Sequence, residues 1–586
     1  MSRFQIDKSK FHRQKILFII SIFIIILLEI KFFHITVIKH KELNVSSEAN
    51  SLRKVYYNAP RGIIYDRNSK PIVDNMPTYD LKFTPSSIVS EKFNYNLLSN
   101  LINIDKDSLR EIIIDSKSKF KKFVPVLLKR HVQFEDMSRI EEYKLDFPGL
   151  FFSDFPARTY PSNIKATHIL GYLREVPDNV LSSDLCNHKY KLGDIYGETG
   201  IEKIYECNLK GNDGLEYHLH DVQGLNHGVY DPKKNIKTIN GENLVLTIDA
   251  RLQEYAESLM ENKNGSIVAM DPLSGEILAM VSFPDYNLKS FTGPIPSKLW
   301  NSWNSDANNP MMNRSIQGLY PPGSVLKLII ASYALDNNII SKDWTVDCKG
   351  IYDFYGETYS CWNKEGHGPT NLVESIRHSC NIYYFDLIKN INIDDWSSIV
   401  KLFGFNSKTN IDLPSEAKGL IPDREYMVKR YGRHGWAQGH LLNFVIGQGD
   451  VLATPIQVLQ MVNLIATSGR TFEPHLKLGK ELVPFSLSLK KGTWDIINKS
   501  MWQVVNYSGG TGWRAKRNNN KVWGKTGTSQ NPHGEDHSWF AGYTKLESDE
   551  LMSLAIIVEN GGKGSGVGSI IAGKLFDYYR EISLND

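Results

Sequence analysis

Five cysteines in 586 residues are too few for a disulfide-built scaffold. A dominant charge is missing as well. Lys and Arg number 68 against 65 Asp and Glu, a net charge of +3, so nothing points to nucleic acid as a partner. The chain has no internal repeat and no low-complexity tract, which removes solenoid and disordered classes. It also lacks a Gly-rich phosphate loop, the usual sequence ground for nucleotide chemistry. What remains is ordinary folded composition, 41% hydrophobic and 23% charged, in a chain long enough for several domains.

Long apolar runs are scarce too; there is one. Ile16–Leu28 carries no charge, and after Glu29 and Lys31 the apolar residues continue to Ile38. The run matches the ~20 residues that cross the hydrocarbon of a bilayer. Arg3, Lys8, Lys10, Arg13 and Lys15 precede it, which keeps that side in the cytoplasm. A cleaved signal peptide needs small residues just past the apolar core, and Phe32-Phe33-His34-Ile35 stands there instead. The expectation is a cytoplasmic N-terminus (1–15), an uncleaved single-pass anchor (16–38), and everything later outside the cytoplasm.

Residues 39–240 are polar and broken by turns. "APRGIIYDRNSKPI" (Ala59–Ile72) reads as strand, turn, strand, and a basic, amphipathic stretch at about Leu98–Lys122 reads as helical. Near Gly193–Lys210, Thr199 followed three residues later by Glu202 has the form of a capping box. The pattern changes near Gly241. "GSIVAMDPLSGEILAMVS" is a hairpin, and "VWGKTGTSQ", "SWFAGYTKL" and "LMSLAIIVENGG" are three late strands, with mostly helical segments between. Strands at both ends predict one α+β domain over 241–586, its antiparallel sheet closed by distant segments and flanked by helices.

"GLYPPGSVLKLII" (Gly318–Ile330) puts a serine at a helix entrance and a lysine where leucine would fit. Ser324 and Lys327, at i and i+3, share a face of an apolar helix. A serine hydroxyl needs a base to become a nucleophile, and a lysine in a dry setting has its pKa lowered enough to serve. Ser-x-x-Lys recurs at Ser51–Lys54, Ser118–Lys121 and Ser488–Lys491, all in polar surroundings read as solvated faces. Two later fragments complete a set. Ser379-Cys380-Asn381 precedes an apolar run, where Ser379 and Asn381 alone could be helix caps. Lys525-Thr526-Gly527-Thr528 lies on a predicted strand, where Lys525 alone could be an edge charge. Ser-x-x-Lys, Ser-x-Asn and Lys-Thr-Gly in this order form the known motif set of penicillin-binding proteins and class A β-lactamases.

With these residues the chain resembles a class B penicillin-binding protein, a membrane-anchored peptidoglycan D,D-transpeptidase, over nearly its whole length. Ala59–Pro71, Gly197–Glu206 and Leu209–Gly211 resemble the motifs of that family's non-catalytic pedestal (39–240). Asn313–Lys327, Ile446–Pro455 and Lys525–Thr528 resemble landmarks of its transpeptidase domain (241–586). "SCWNKEGHG" (Ser360–Gly368) is similar to the elongation type, penicillin-binding protein 2. The resemblance implies that Ser324 forms the acyl-enzyme with a stem peptide and D-alanine leaves. Lys327 is then the base, Ser379 and Asn381 relay the proton and orient the substrate, and Lys525, Thr526, Gly527 and Thr528 hold its carboxylate. Backbone N–H groups of Ser324 and Thr528 form the oxyanion hole, and Lys525 lowers the pKa of Lys327.

It further implies β-lactams as covalent inhibitors, no cofactor for acyl transfer, and the bacterial inner membrane with a periplasmic catalytic domain. The expected partners are a polytopic glycosyltransferase and other elongation proteins. No glycosyltransferase-like block lies in the chain itself. The competing functions are a D,D-carboxypeptidase, which uses water as acceptor, and a non-turnover β-lactam sensor or scaffold. Cys348, Cys361, His367 and Cys380 cluster beside the motifs. Thiolates and imidazole make closed tetrahedral zinc sites, and some elongation-type relatives carry a metal here with ligands partly Asp. A Cys348–Cys361 disulfide and packed thiols stay open as alternatives. Cys186 and Cys207 are read as packing residues.

Overall fold

The computed structural model describes residues 8–40, 52–88, 93–119, 125–181, 186, 190–191, 193–220, 226–293 and 295–585. The first helix, α1 (Lys8–Phe33), runs on through a π turn at His34–Ile38. Its apolar part, Arg13–Ile38, buries nothing against the rest of the protein. Twenty-six residues at ~1.5 Å each give about 39 Å, enough to cross a membrane. Among the described residues this is the one helix long and apolar enough to do so.

The rest divides into two compact units, so the segments of 39–240 fall partly in each. The first takes residues up to 59, 79–155 and 211–240. It holds a three-stranded antiparallel sheet of Leu52–Tyr57, Gly214–His220 and Asn226–Val229. A separate core gathers Leu81, Phe83, Leu98, Ile102, Leu109, Ile113 and Phe147. The stretch expected to be helical at about 98–122 holds two helices, Tyr95–Ile102 and Lys106–Lys119, its last residues, 120–122, lying outside the described residues. Asn103 takes a left-handed conformation at φ 53°, which closes the first helix. The break lets Leu98/Ile102 and Leu109/Ile113 face one core from two directions.

The second unit takes 60–78, 156–210 and 241 onward. Its sheet has strands β1 (Gly265–Met270), β2 (Ile277–Phe283), β3 (Lys521–Ser529), β4 (His537–Lys545) and β5 (Leu551–Val558). The order is β2-β1-β5-β4-β3, antiparallel throughout, so the hairpin β1–β2 meets the last strands of the chain. Period-two alternation serves both faces. Ile267, Ala269, Leu554 and Ile556 pack with Leu252, Leu575 and Phe576 of the helices Ala250–Met260 and α5 (Val567–Asn585). Val268, Met270, Ala555 and Ile557 join the opposite core with α2 (Lys327–Asp336), α3 (Pro455–Ala466) and α4 (Lys491–Asn506). Thr454 and Gln457 form a reciprocal capping box that starts α3, with Pro455 as its first residue.

Ile64–Tyr65 and the strand from Pro71 pair as read from the sequence, and Leu244–Val245 adds a parallel partner. The expected capping box at Thr199 is not formed; Thr199 caps no helix N–H with its side chain. Glu202 turns inward instead. It bonds Arg61 at 2.6 Å and Arg158 at 2.8 Å, while Glu206 bonds Arg61 at 2.7 Å, all four side chains being buried. Two buried arginines demand two carboxylates, and that demand outweighs a cap worth about 1 kcal/mol. Cys186 and Cys207 are joined in a disulfide, which corrects their reading as packing residues.

Candidate active site

Pro321-Pro322-Gly323 brings the chain into a tight 3₁₀ turn, Gly323–Val325, ahead of α2. Gly323 sits at φ +58°, and a Cβ there would stand 2.6 Å from the carbonyl oxygen of Thr528. Only glycine lets the turn that carries Ser324 lie this close to β3. Ser324 is half-buried at the end of this approach, and Lys327 is fully buried at the start of α2.

The second motif lies between two short helices, Leu372–Arg377, started by an Asn371/Glu374 capping box, and Asn381–Leu387. Ser379 links them in a left-handed conformation, φ 55°, a costly state for a non-glycine residue that concentrates at functional sites. Lys327 Nζ donates to Ser379 O at 2.9 Å, to Asn381 Oδ1 at 2.7 Å, and more weakly to Ser379 Oγ at 3.4 Å. From the other side Lys525 Nζ donates to Ser379 Oγ at 2.9 Å and to Thr526 O at 2.9 Å. The Ser379 hydroxyl thus accepts from both amines, leaving its own proton free to point elsewhere. Lys327, Ser379, Asn381 and Lys525 are therefore brought into one network. Among the described residues Ser324 Oγ and Lys327 Nζ share no direct hydrogen bond.

Burial pushes Lys327 down to about 8, opposed by the nearby thiols of Cys361, Cys380 and Cys348. Lys525 is held well below the usual lysine range, first by burial and then by the positive charge of Lys327. The like charge on Lys327 is thus part of what depresses Lys525. Thr526 Oγ1 hydrogen-bonds Thr511 Oγ1 at 2.7 Å. Gly527 has no room for a side chain, since a Cβ would lie 2.9 Å from both Pro322 O and Val325 Cγ2. Thr528 Oγ1 accepts from Gly564 N at 3.0 Å, and Thr528 O accepts from Gln448 Nε2 at 2.7 Å. Thr511 and Gly564 were not picked out from the sequence, and Gln448 was covered only by the Ile446–Pro455 landmark, with no role of its own. Their one local signal is a polar residue or glycine within the glycine-rich stretches "GGTG", "GQG" and "GGKGSG".

The ligand atoms of Cys348, Cys361, His367 and Cys380 all lie within 4.8 Å of one another. His367 Nδ1 stands 3.5 Å from Cys348 Sγ and 3.6 Å from Cys361 Sγ. A tetrahedral zinc with Zn–S ~2.3 Å and Zn–N ~2.05 Å sets these atoms ~3.6 Å apart, so the donor set fits that ion. The hydrogen bond from Cys380, against burial, holds Cys361 below the usual thiol range, and the same bond with burial raises Cys380. All three cysteines are free thiols, which removes the Cys348–Cys361 disulfide. Of the other Ser-x-x-Lys pairs, Ser488 and Lys491 are exposed, while Ser51 and Lys121 lie outside the described residues.

A tight turn carrying Ser324, and two buried lysines that meet at Ser379, one of them from a Lys-Thr-Gly strand, are the marks of an acyl-serine transferase of the penicillin-binding class. Residues 265–577 match the penicillin binding protein transpeptidase domain, and residues 56–246 match the penicillin-binding protein dimerisation domain. The chain belongs to the penicillin-binding protein transpeptidase family. It is 30% identical to the peptidoglycan D,D-transpeptidase MrdA of Haemophilus influenzae, over 93% of this chain and 88% of that protein. It is 28% identical to MrdA of Escherichia coli K12, over 92% and 89%. Among solved structures it resembles penicillin-binding protein PBP2 of Helicobacter pylori in complex with MreC. There the TM-score is 0.80 at 28% identity, covering 91% of this chain and 100% of that one.

Proposed function

We propose that this chain is a peptidoglycan D,D-transpeptidase of the elongation type, with Ser324 as the nucleophile. The carrying observation is that Lys327, Asn381 and Lys525 converge on the loop of Ser379. Ser324 Oγ attacks the carbonyl between the two terminal D-alanines of a stem peptide and its proton passes to Lys327. The developing oxyanion sits between the backbone N–H groups of Ser324 and Thr528, where each such donor is worth ~3 kcal/mol. Ser379 carries the proton toward the leaving amine, Asn381 orients the substrate amide, and Lys525, Thr526 and Thr528 receive the terminal carboxylate. D-alanine leaves, and an amine of a neighbouring stem takes the acyl group. β-Lactams acylate the same serine.

Cys348, Cys361, His367 and Cys380 would hold a structural zinc ion, supplying fixed coordination without redox chemistry. Cys380 lies between Ser379 and Asn381, so fixing its sulfur fixes both neighbours. The basic residues before α1 support an N-terminus in the cytoplasm and a periplasmic catalytic domain. The boundaries that fit this reading are an anchor over 16–38, a pedestal over 39–240 and a transpeptidase domain from 241. The Helicobacter PBP2 was solved with MreC, and a chain resembling this one over 98% of its length comes from a peptidoglycan synthase complex, at 25% identity and TM-score 0.72. They support a place in elongation machinery beside a polytopic glycosyltransferase. The carboxypeptidase and sensor readings share the motifs, but the match to MrdA over nearly the full chain does not favour them.

Fluorescent-penicillin labelling of the wild type and of Ser324→Ala tests the assignment. Stable labelling of the first and none of the second is expected; labelling that survives the substitution overturns it. With stem peptides, cross-linked dimer in excess of hydrolysed monomer separates transpeptidase from carboxypeptidase. Metal analysis of the purified protein is expected to find about one zinc per chain. A metal-free protein with its three clustered thiols titratable would end the zinc reading.

A further inference from the structure

The stretch "GQG" (Gly447–Gly449) has no part in the chemistry above, yet it touches both sides of the site. Gly447 and Gly449 are each at φ +72°, conformations that favour glycine, and they hold Gln448 between them. Gly447 O accepts the N–H of Gly323 at 2.9 Å, one residue before Ser324. A Cβ on Gly447 would lie 2.2 Å from Gly323 O, so the two backbones are in contact. Gln448 is buried, and its carboxamide turns toward β3. Nε2 donates to Thr528 O at 2.7 Å and Oε1 accepts from Gln530 N at 3.3 Å.

Among the described residues β3 is an edge strand, paired only to β4 on one side. In a strand the N–H and C=O of one residue point toward the same edge. The Thr528 carbonyl that meets Gln448 therefore shares its edge with the Thr528 N–H. Gln448 takes the place of a neighbouring strand there, satisfying a carbonyl and an N–H two residues apart. One loop thereby ties down the peptide next to Ser324 and the peptide of Thr528.

We propose that Gln448 is a positioning residue that sets the separation of the two oxyanion-hole donors. This rests on the assignment of the Ser324 and Thr528 N–H groups as those donors. Gln448 touches no reacting atom. Its donor to Thr528 O stops the end of β3 from pivoting, and Gly447 stops the nucleophile turn from doing so. A shift of ~1 Å in such an arrangement costs on the order of 10²-fold in rate.

The test compares an acyl-D-lactate ester with its thiono analogue, C=S replacing C=O, on the full-length protein in detergent. In both, Ser324 Oγ bonds to the carbonyl or thiocarbonyl carbon, the bond to the lactate oxygen breaks, and the serine proton ends on the released hydroxyl. A well-fitted oxyanion hole favours oxygen over the larger sulfur. The wild type is expected to prefer the ester by on the order of 10²-fold in kcat/KM. Gln448→Met should lower kcat for the ester ~10- to 100-fold, leave KM within ~3-fold, barely change the thiono rate, and so collapse the preference. Gln448→Glu keeps the acceptor for Gln530 N and loses the donor to Thr528 O; it should collapse the preference equally, and it carries the test if the Met variant does not fold. A preference that survives in the folded variants, or equal losses on both substrates, overturns the proposal. A wild type without the preference refutes the underlying donor assignment instead.

Discussion

The base assigned to Lys327 must be neutral when it accepts the proton of Ser324, so acylation should follow its titration. Burial brings Lys327 down to about 8, and the rate of penicillin acylation should therefore rise with pH through that value. The informative perturbation is Lys525→Met. Both amines bond Ser379 Oγ, at 3.4 and 2.9 Å, which places them about 6 Å apart or closer. Two full charges at ~6 Å and an effective dielectric of ~20 repel by ~2.8 kcal/mol, or ~2 pH units. If Lys525 carried the charge, its removal would raise Lys327 by up to that amount. Burial alone accounts for the lowering of Lys327, while Lys525 is held well below its usual range by burial and by the charge on Lys327. The ascending limb in Lys525→Met should stay within ~0.5 unit of the wild type while the rate falls from lost carboxylate binding. Stopped-flow acylation from pH 6 to 10 reads both. A flat wild-type profile, or a limb displaced upward by ~2 units in the variant, would refute the argument. The same shift has a sign for stability. The unfolded chain holds the Lys327 proton more tightly, so this group's contribution increases with pH between about 8 and the ordinary value of 10.5.

Three further outcomes are expected. Glu202→Ala leaves Arg61 and Arg158 facing each other with one carboxylate, and breaking a buried pair this way costs ~3–5 kcal/mol; a thermal melt at the wild-type temperature would contradict it. Cys186→Ala/Cys207→Ala opens a link across a separation of 21 residues, worth ~3 kcal/mol of loop entropy, and should also melt lower. An unchanged melt would mean the bridge does not stabilise the second unit. Gly447→Ala drives a methyl against Gly323 O and should slow penicillin labelling ~100-fold; labelling at the wild-type rate would show that the turn tolerates the shift.

Local periodicity made much of the fold legible. The hairpin at 265–283 and the three late strands read as short apolar runs bounded by turns because both faces of the sheet are buried, and their closure into one sheet follows from their places at the two ends of the domain. The helix break at Asn103 was hidden because a residue that tolerates left-handed φ carries no obligation to adopt it. Glu202 was misjudged for a different reason. Its partners, Arg61 and Arg158, are 141 and 44 residues away, and no window of sequence contains both the charge and its answer.

The site divides the same way. Lys327 could be found because a charge in an apolar helix conflicts with its surroundings, and such a conflict persists only where something repays it. Ser379 and Lys525 could be found because known motifs carry them. Gln448 has no conflict with its neighbours, and its partners Thr528 and Gln530 lie 80 and 82 residues on. What marks it is the pair of glycines at its sides, whose conformations only the folded backbone reveals. Groups that react leave a chemical signature in sequence, while groups that hold them in place leave a geometric one. The holding groups of this site are therefore to be sought in loops whose glycines sit at positive φ within reach of β3. Gly564, whose N–H meets Thr528 Oγ1 and whose Cβ would strike Gly527 O at 2.1 Å, already meets the second condition without the first. Its need for glycine comes from contact alone, so replacing it should push β3 away at Gly527.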